Sequence, residues 1–275
     1  MLKINHKSNS YFKISDEVDI TQVGILSYLE RLSRSHPYIY YFARKIAFHL
    51  NIFEREFDGI KKIKFTQKKI NLIDVGASDG IAIKYINKLK PLNYIYAFEP
   101  NKLYYKQLIN LKNKFQNLTT YCFGLSEKKK EHIVYIPCFK FLGKFYYMIT
   151  YTFYNLNELK NNLRINFTFK NNISIRKFKI KLDRFNFFDQ KIDLVKLDVN
   201  GHEFSVIKGL KKLLLKDKPA LILEELENID KIELFLKKYK YKCYYYDVNK
   251  KKLNKKENKK HKNLNFYFLQ KKHLN

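Results

Sequence analysis

Short, mostly apolar runs alternate with helix-length segments through the middle of this 275-residue chain. The first run, Ile70 to Val75, is followed by a glycine-containing turn and an amphipathic segment that extends to about Lys90. Apolar runs separated by helices are typical of parallel strands that are covered on both faces. Four more predicted strands share the pattern: 94–98, 119–123, 192–197 and 220–223. The chain is therefore predicted to form an α/β fold, with helices on both faces of a mostly parallel sheet.

Two further strands are predicted later in the chain, at Tyr241 to Tyr246 and at Leu264 to Leu269. The residues between them, 250–262, are mostly lysine and asparagine and predict a solvated loop. Consecutive strands without a crossover helix pair in antiparallel fashion. These two strands bring the predicted sheet to seven and make its last strand antiparallel.

Two long segments do not fit this alternation. Residues 131–185 are too long for a simple crossover and carry strand-like aromatic runs, so they are predicted to be an insertion over the sheet. Insertions of this kind supply substrate-specific walls, and we expect this one to leave any cofactor site unaffected. Residues 1–66 are predicted to be an arm and a helical preface. The helical spacing of apolar residues in this preface is expected to end at Asp58-Gly59. Residues 67–275 are predicted to be the main domain.

The charge and cysteine content narrow the class of protein. The chain has 55 basic and 26 acidic residues and a formal net charge of +29, which suits an anionic partner. The lysines are dispersed through an Asn-, Ile-, Tyr- and Phe-rich sequence, however, as AT-rich codons alone would produce. Three cysteines without CxxC spacing argue against a disulfide framework or a zinc ribbon. The sequence shows no signal peptide or apolar span, so we expect a soluble, cytoplasmic protein.

A short glycine-containing loop follows the first predicted strand. Asp74 ends this strand, and Gly76 and Gly80 provide a tight turn before the next helix. The spacing is GxxxG, which differs from the GxGxxG loop that binds a dinucleotide pyrophosphate. A carboxylate at this position suits a cationic ligand such as S-adenosylmethionine, which carries an ammonium and a sulfonium. We therefore predict that this loop, including Ala77 and Ser78, binds that cofactor.

Two later positions extend the predicted cofactor site. Glu99 ends the second strand, 25 residues after Asp74, where a carboxylate accepts hydrogen bonds from both ribose hydroxyls. Gly124 and Ser126 lie in a small-residue turn after the third strand, where the adenine edge is expected. The ordered series of an acidic glycine loop, a second acid and a small-residue turn is more specific than any one motif.

Four motifs follow the predicted strands in a recognisable order. They are LIDVGASDG at 72–80, AFEPN at 97–101, LVKLDVNGHEFSVIKG at 194–209 and PALILEE at 219–225. Together they resemble the FkbM family of S-adenosylmethionine-dependent methyltransferases, over roughly residues 65–245. The resemblance implies a Rossmann-like class I methyltransferase fold that methylates a hydroxyl of a sugar, glycan or secondary metabolite. The family usually has glutamate where this chain has Asn200, which leaves the metal and base assignments open.

Candidate catalytic residues follow the fourth predicted strand. The carboxyl ends of parallel strands share one edge of the sheet, so Asp198 is expected to lie near the cofactor loop. Asp198 is the first candidate for the base that a hydroxyl acceptor requires, and His202 lies one helical turn further on. His202 either takes part in catalysis or is a capping or supporting residue at the start of the helix. Lys196 either pairs with Asp198 or extends its ammonium into solvent. Glu203 is expected to complement the helix dipole.

A metal site and two other functions remain open alternatives. Asp198, Glu224 and Glu225 resemble the oxygen ligands with which catechol-type methyltransferases hold Mg²⁺, but no metal is favoured here. The high positive charge motivates an RNA methyltransferase, although LDVNG differs from an Asn-Pro-Pro-Tyr site and no RNA-binding domain is visible. Asn200 motivates a non-catalytic cofactor-binding module. The favoured partner is a small-molecule or glycan acceptor rather than nucleic acid.

Overall fold

The computed structural model describes residues 55–148, 151–166, 173–185, 189–224, 229–256 and 265–274, together with the helical positions Ile39, Phe42 and Ile46. The predicted arm and most of the predicted helical preface lie outside these residues. Arg55–Lys62 is a 3-10 helix that contains Asp58 and Gly59, so the predicted break at this pair is wrong. A Cβ atom at Gly59 would lie 2.7 Å from the Tyr267 ring. The glycine therefore serves close packing against the sheet rather than a chain break.

Within the described residues, the centre of the fold is an eight-stranded sheet. Its strands are β1 (Ile70–Val75), β2 (Leu92–Phe98), β3 (Leu118–Tyr121), β8 (Leu194–Leu197), β9 (Ala220–Glu224), β10 (Lys242–Asp247), β11 (Lys252–Lys255) and β12 (Asn265–Leu269). They lie in the order β11-β10-β12-β9-β8-β1-β2-β3. The strands β3, β2, β1, β8 and β9 are parallel, and β12 runs antiparallel to both β9 and β10. The mostly parallel Rossmann-like sheet with an antiparallel last strand is thus confirmed.

The predicted number of seven strands is wrong by one. The additional strand, β11, lies within the lysine-rich run that was expected to form a solvated loop. Leu253 packs against the apolar core, and Asp247 accepts backbone hydrogen bonds from Asn249 and Lys250 in the turn before it. One apolar residue and a well-formed turn are enough to pair this polar segment with β10.

Helices cover both faces of the large sheet. They are α1 (Ile81–Leu89), α2 (Lys102–Asn110), α4 (Glu203–Gly209), α5 (Lys211–Lys216) and α6 (Ile229–Lys237), whereas α3 (Leu156–Asn166) packs against a second sheet. Alternate residues of β1 point to opposite faces: Ile73 packs in a core with residues of α4, α5 and α6, whereas Leu72 packs in a core with residues of α1 and α2. No helix in the described ranges has the length and apolarity needed to cross a membrane.

A second sheet occupies most of the predicted insertion. It has the order β4-β7-β5-β6 and consists of β4 (Gly124–Leu125), β5 (Lys130–Phe141), β6 (Lys144–Tyr147) and β7 (Ile173–Asp183). Leu159 and Leu163 of α3 pack against it in a cluster with Phe139 and Met148. The short strand β4 follows β3 closely and pairs in parallel with the end of β7. The second sheet therefore begins inside the segment that was predicted to contact adenine.

Candidate functional site

The loop after β1 is shaped by two glycines with positive φ angles, Gly76 (+75°) and Gly80 (+78°). The backbone N–H groups of Gly76 and Ala77 both donate to the Phe98 carbonyl oxygen, at 3.0 and 3.1 Å. A Cβ atom at Gly76 would lie 1.9 Å from the carbonyl oxygen of Asp198. Gly76 is therefore required both for its conformation and for the close approach of the loop that follows β8.

Glu99, which follows β2, is held by the same loop. Its two carboxylate oxygens accept hydrogen bonds from the backbone N–H groups of Ser78 (2.9 Å) and Asn101 (2.8 Å). Glu99 is only 5% exposed, and burial raises its pKa to about 7 although both backbone hydrogen bonds favour the charged form. The carboxylate is thus fixed in position and retains lone pairs for further donors.

Several buried polar atoms around this loop make no hydrogen bond to any described residue. They are Asp74 Oδ2, Ser78 Oγ and Asn101 Nδ2. Buried polar groups are nearly always satisfied in native proteins, so a cluster without partners needs an explanation. These atoms offer both donors and acceptors beside Glu99, which fits a polar ligand that carries hydroxyl and amino groups.

Lys196 connects the loop after β1 to the end of β8. Its Nζ lies 3.2 Å from Asp74 Oδ1 and 3.5 Å from Asp198 Oδ2, and donates a hydrogen bond of 3.0 Å to the Gly76 carbonyl oxygen. Lys196 is only 3% exposed, so its ammonium does not extend into solvent. Burial alone would lower the pKa of Lys196, but the two carboxylates outweigh it and raise that pKa. Burial in turn raises the pKa of Asp74, which Lys196 opposes.

The partner of Asp74 was missed by the sequence analysis. Asp74 was expected to face a cationic ligand directly, whereas the nearest cation in the described chain belongs to Lys196. The two residues are register neighbours on β1 and β8, which becomes visible only when the strand order is known. Asp74 therefore balances the charge of a buried lysine next to the loop that follows β1.

The loop after β8 carries Asp198, and Glu203 fixes its backbone. Glu203 is fully buried, and its carboxylate oxygens accept hydrogen bonds from the backbone N–H groups of Val199 (2.8 Å) and Gly201 (2.9 Å). Asn200 and Gly201 both have positive φ angles, +50° and +93°. Asparagine and glycine tolerate this region best, so Asn200 suits the turn. Glu203 thus does more than complement the helix dipole, because it fixes the backbone next to Asp198.

His202 precedes α4, but its side chain makes no capping hydrogen bond. Its ring stacks on Tyr154, with centroids 4.7 Å apart and an interplanar angle of 11°, and its Nε2 lies 3.3 Å from Ser126 Oγ. Burial lowers the pKa of His202 to about 4, and the positive charge of Lys130 adds to this effect. His202 is therefore neutral near pH 7 and does not cap the helix, while a supporting role at the helix start stays a prediction.

The turn from Gly124 to Ser126 lies beside the residue that follows Glu99. A Cβ atom at Gly124 would meet Leu182 Cδ2 at 2.7 Å and Pro100 Cγ at 3.3 Å. The Ser126 backbone N–H donates to the Asp183 carbonyl oxygen at 2.9 Å. The turn is therefore placed between Pro100 and β7.

The structure brings most of the predicted site residues to one edge of the large sheet. Asp74, Gly76, Lys196 and Asp198 are in direct contact, and Glu99 joins them through the loop. The Asp198 side chain is about one-third exposed, at 34%. Among the described residues no three His, Cys, Asp or Glu side chains form a metal-binding group. Glu225 lies outside the described residues, so the Asp198, Glu224 and Glu225 alternative stays a prediction.

Three solved structures resemble the chain at low sequence identity. Methyltransferase FkbM from Methylobacillus flagellatus KT is 14% identical, with a TM-score of 0.45, over 89% of this chain and 58% of that one. Precorrin-6y C5,15-methyltransferase from Geobacter metallireducens is 15% identical, with a TM-score of 0.38, over 78% and 84% of the two chains. Fibrillarin from Aeropyrum pernix, in complex with S-adenosyl-L-methionine, is 10% identical, with a TM-score of 0.40, over 77% and 73%. No curated protein matches the chain.

A family model provides the stronger comparison. The methyltransferase FkbM domain matches residues 74–243, which is more than half of the chain. The match starts at Asp74 and includes the loop after β1, Glu99, the second sheet and the loop after β8. The chain belongs to the FkbM methyltransferase family.

Proposed function

We propose that this protein is an S-adenosylmethionine-dependent methyltransferase that acts on a hydroxyl group of a sugar, glycan or secondary metabolite. The observation that carries the proposal is the position of Glu99, which is clamped by Ser78 and Asn101 and surrounded by buried polar atoms without partners. A fixed carboxylate with free lone pairs suits the two hydroxyls of a ribose. We also propose a cytoplasmic location, because three cysteines without CxxC spacing favour a reducing compartment.

The cofactor would be held by residues from three loops. The backbone of Gly76 to Gly80 allows close approach, Glu99 is available for ribose hydroxyls, and the turn at Gly124 and Ser126 lies beside Pro100, next to Glu99. When bound there, S-adenosylmethionine supplies an activated methyl group on its sulfonium. Asp74 contributes through Lys196, whose charge it balances.

Asp198 is the best candidate for the base. It is partly exposed at the end of β8, and its Oδ2 lies 3.5 Å from Lys196 Nζ. A carboxylate at this edge can accept the proton of an acceptor hydroxyl. Neutral His202 lies nearby, where it can hydrogen-bond to an acceptor without adding positive charge.

Methyl transfer from radiolabelled S-adenosylmethionine to a panel of sugar-containing acceptors and to RNA transcripts tests this proposal. We expect label on a sugar acceptor and a rate about 10²–10⁴-fold lower for Asp198→Asn, the usual contribution of a general base. Asp230→Asn, on the exposed surface of α6, serves as the matched control and should keep the full rate. Full activity of Asp198→Asn would contradict the role of Asp198.

An RNA methyltransferase is the second candidate. The observation that favours it is positive charge on an open face of β7, where Lys177, Lys179 and Lys181 are exposed at alternate positions. Label on RNA but on no sugar acceptor would establish this alternative. Tight binding of the cofactor without transfer to any acceptor would favour a non-catalytic binding module.

A further inference from the structure

We propose that the second sheet forms a wall of the cofactor site and that Tyr154 is the residue that positions this wall. The inference rests on the proposed function, because it concerns the same S-adenosylmethionine site. It departs from the sequence-based expectation that the insertion affects only the acceptor. Tyr154 is a positioning residue in this account, since it acts through His202 and the turn from Gly124 to Ser126.

The ring of Tyr154 lies between two histidine rings. It stacks on His202 at 4.7 Å and lies 5.1 Å from His132 at an interplanar angle of 34°. The backbone of the preceding residue, Phe153, exchanges two hydrogen bonds with Tyr135 of β5, at 2.9 and 3.0 Å. Tyr154 is therefore anchored to the second sheet while its ring contacts the loop after β8.

His202 transmits this contact to the turn that follows β3. Its Nε2 lies 3.3 Å from Ser126 Oγ, which is 3.1 Å from Ser205 Oγ. Loss of the stacked ring would leave His202 free to rotate and would remove one support of Ser126.

The same turn is held from a second direction by β7. Gly124 pairs with Leu182 in the β4–β7 ladder and has no room for a side chain against it. Leu182 belongs to a small buried cluster with Val134 and Ile180, and Tyr154 packs against this cluster. Tyr154 thus touches both supports of the turn, the apolar support from β7 and the polar support from His202.

The charges around Tyr154 agree with this placement. Burial raises the pKa of the Tyr154 hydroxyl, and the carboxylates of Glu99 and Glu203 raise it further. The phenol therefore stays protonated and lies within electrostatic reach of the acid that faces the proposed ribose position.

Calorimetric titration with S-adenosylhomocysteine tests the inference without an identified acceptor. We expect Tyr154→Leu and Tyr154→Met to raise Kd by about 3- to 10-fold, comparable to the loss of one aromatic pair. Tyr154→Phe keeps the ring that stacks on His202 and loses only the hydroxyl. Its Kd should therefore stay within about twofold of that of the native protein. Tyr147→Leu is the matched control, because Tyr147 lies in the same sheet and contacts Phe178 rather than His202.

The outcomes separate the role of Tyr154 from the proposed function. Unchanged Kd in both Tyr154→Leu and Tyr154→Met would overturn the inference, and so would an equal loss in Tyr147→Leu. Thermal unfolding without ligand compares the stability of Tyr154→Leu with that of Tyr147→Leu. If the two variants are equally stable, a loss of affinity in Tyr154→Leu alone does not come from a general weakening of the second sheet. No binding to the native protein would overturn the proposed function itself.

Discussion

The two sheets differ in how their covered faces are arranged. In the large sheet, β1, β8 and β9 are buried on both faces along most of their length. In the second sheet, β7 changes its covered face halfway: Ile173 and Ile175 pack in one cluster, whereas Ile180 and Leu182 pack in another. Residues 175 and 180 differ in parity and therefore point to opposite faces. A strand of this kind shows neither a continuous apolar run nor a simple alternation.

The sheets also place charge differently. Lys196 is buried in the large sheet and lies between two carboxylates, whereas Lys179 of the second sheet pairs with Glu131 in an exposed position. Removing one member of a buried ion pair leaves the other charge buried without a counter-charge. In an exposed pair, water solvates the charge that remains. The same pairing of lysine with a carboxylate thus has different consequences in the two regions.

The largest difference is expected between two glycines with nearly equal φ angles, Gly76 (+75°) and Gly143 (+77°). Gly76→Ala meets the Asp198 carbonyl oxygen, so we expect a loss of about 2–5 kcal/mol in unfolding free energy and no binding of S-adenosylhomocysteine. Gly143→Ala meets nothing within 4 Å and should lose only about 1–2 kcal/mol, from backbone strain. Urea unfolding and calorimetry compare the two, and equal losses would contradict the close approach at Gly76.

A second comparison concerns the two lysines. Lys196→Met leaves Asp74 and Asp198 without their cation and should lower the unfolding free energy by about 3–5 kcal/mol. Lys179→Met, in the exposed pair with Glu131, should leave urea unfolding unchanged. Equal unfolding free energies for the two variants would show that burial does not determine how much the Lys196 ion pairs contribute to stability.

A smaller effect is expected from the titration of Glu99. The ionised carboxylate accepts ribose hydroxyls, and the pKa of Glu99 in the free protein is about 7. Affinity for S-adenosylhomocysteine should therefore rise with pH, by about tenfold between pH 6 and pH 8. Calorimetry of Glu99→Gln should show weak binding without this dependence, and a flat profile for the native protein would contradict the assignment.

The smallest effect concerns His202, at the junction of the two sheets. Its folded-state pKa of about 4 is below the ordinary value of 6.5, so the unfolded chain binds more protons between these values. His202 should therefore contribute stability that rises as the pH increases from 4 to 6.5, and His273, also buried with a pKa of about 4, contributes in the same direction. Glu99, whose pKa is raised from 4.5 to about 7, contributes in the opposite direction. His202→Gln should lower the slope of unfolding free energy against pH in this range relative to the native protein, while an unchanged slope would show that His202 is accessible to water.

The sequence predicts the large sheet well because its strands are continuous apolar runs that alternate with helices. It misjudges the polar strand β11, whose pairing depends on a turn at Asp247 and on the single apolar contact of Leu253. It identifies the second sheet only as an aromatic insertion, because β7 changes its covered face between residues 175 and 180.

The candidate site likewise contains residues that the sequence predicts and residues that only the tertiary structure identifies. Asp74, Gly76 and Glu99 are predictable, because strand ends and glycine spacing place them at one edge of the sheet. The contact between Lys196 and Asp74 requires knowledge that β8 lies beside β1 in register. Tyr154 has no distinguishing signal in a chain that is 16% aromatic, and its importance depends on the tertiary contact with His202.

Calorimetric titration of the native protein and of Glu99→Ala with S-adenosylhomocysteine at pH 8 tests whether this edge of the sheet is the cofactor site. We expect one binding site per chain, with affinity reduced by about 10- to 150-fold in Glu99→Ala, since hydrogen bonds to a charged group contribute about 1.5–3 kcal/mol. Circular dichroism should show that both proteins are folded. Absence of binding to the native protein, or equal affinity of Glu99→Ala, would contradict the assignment of this edge of the sheet as the cofactor site.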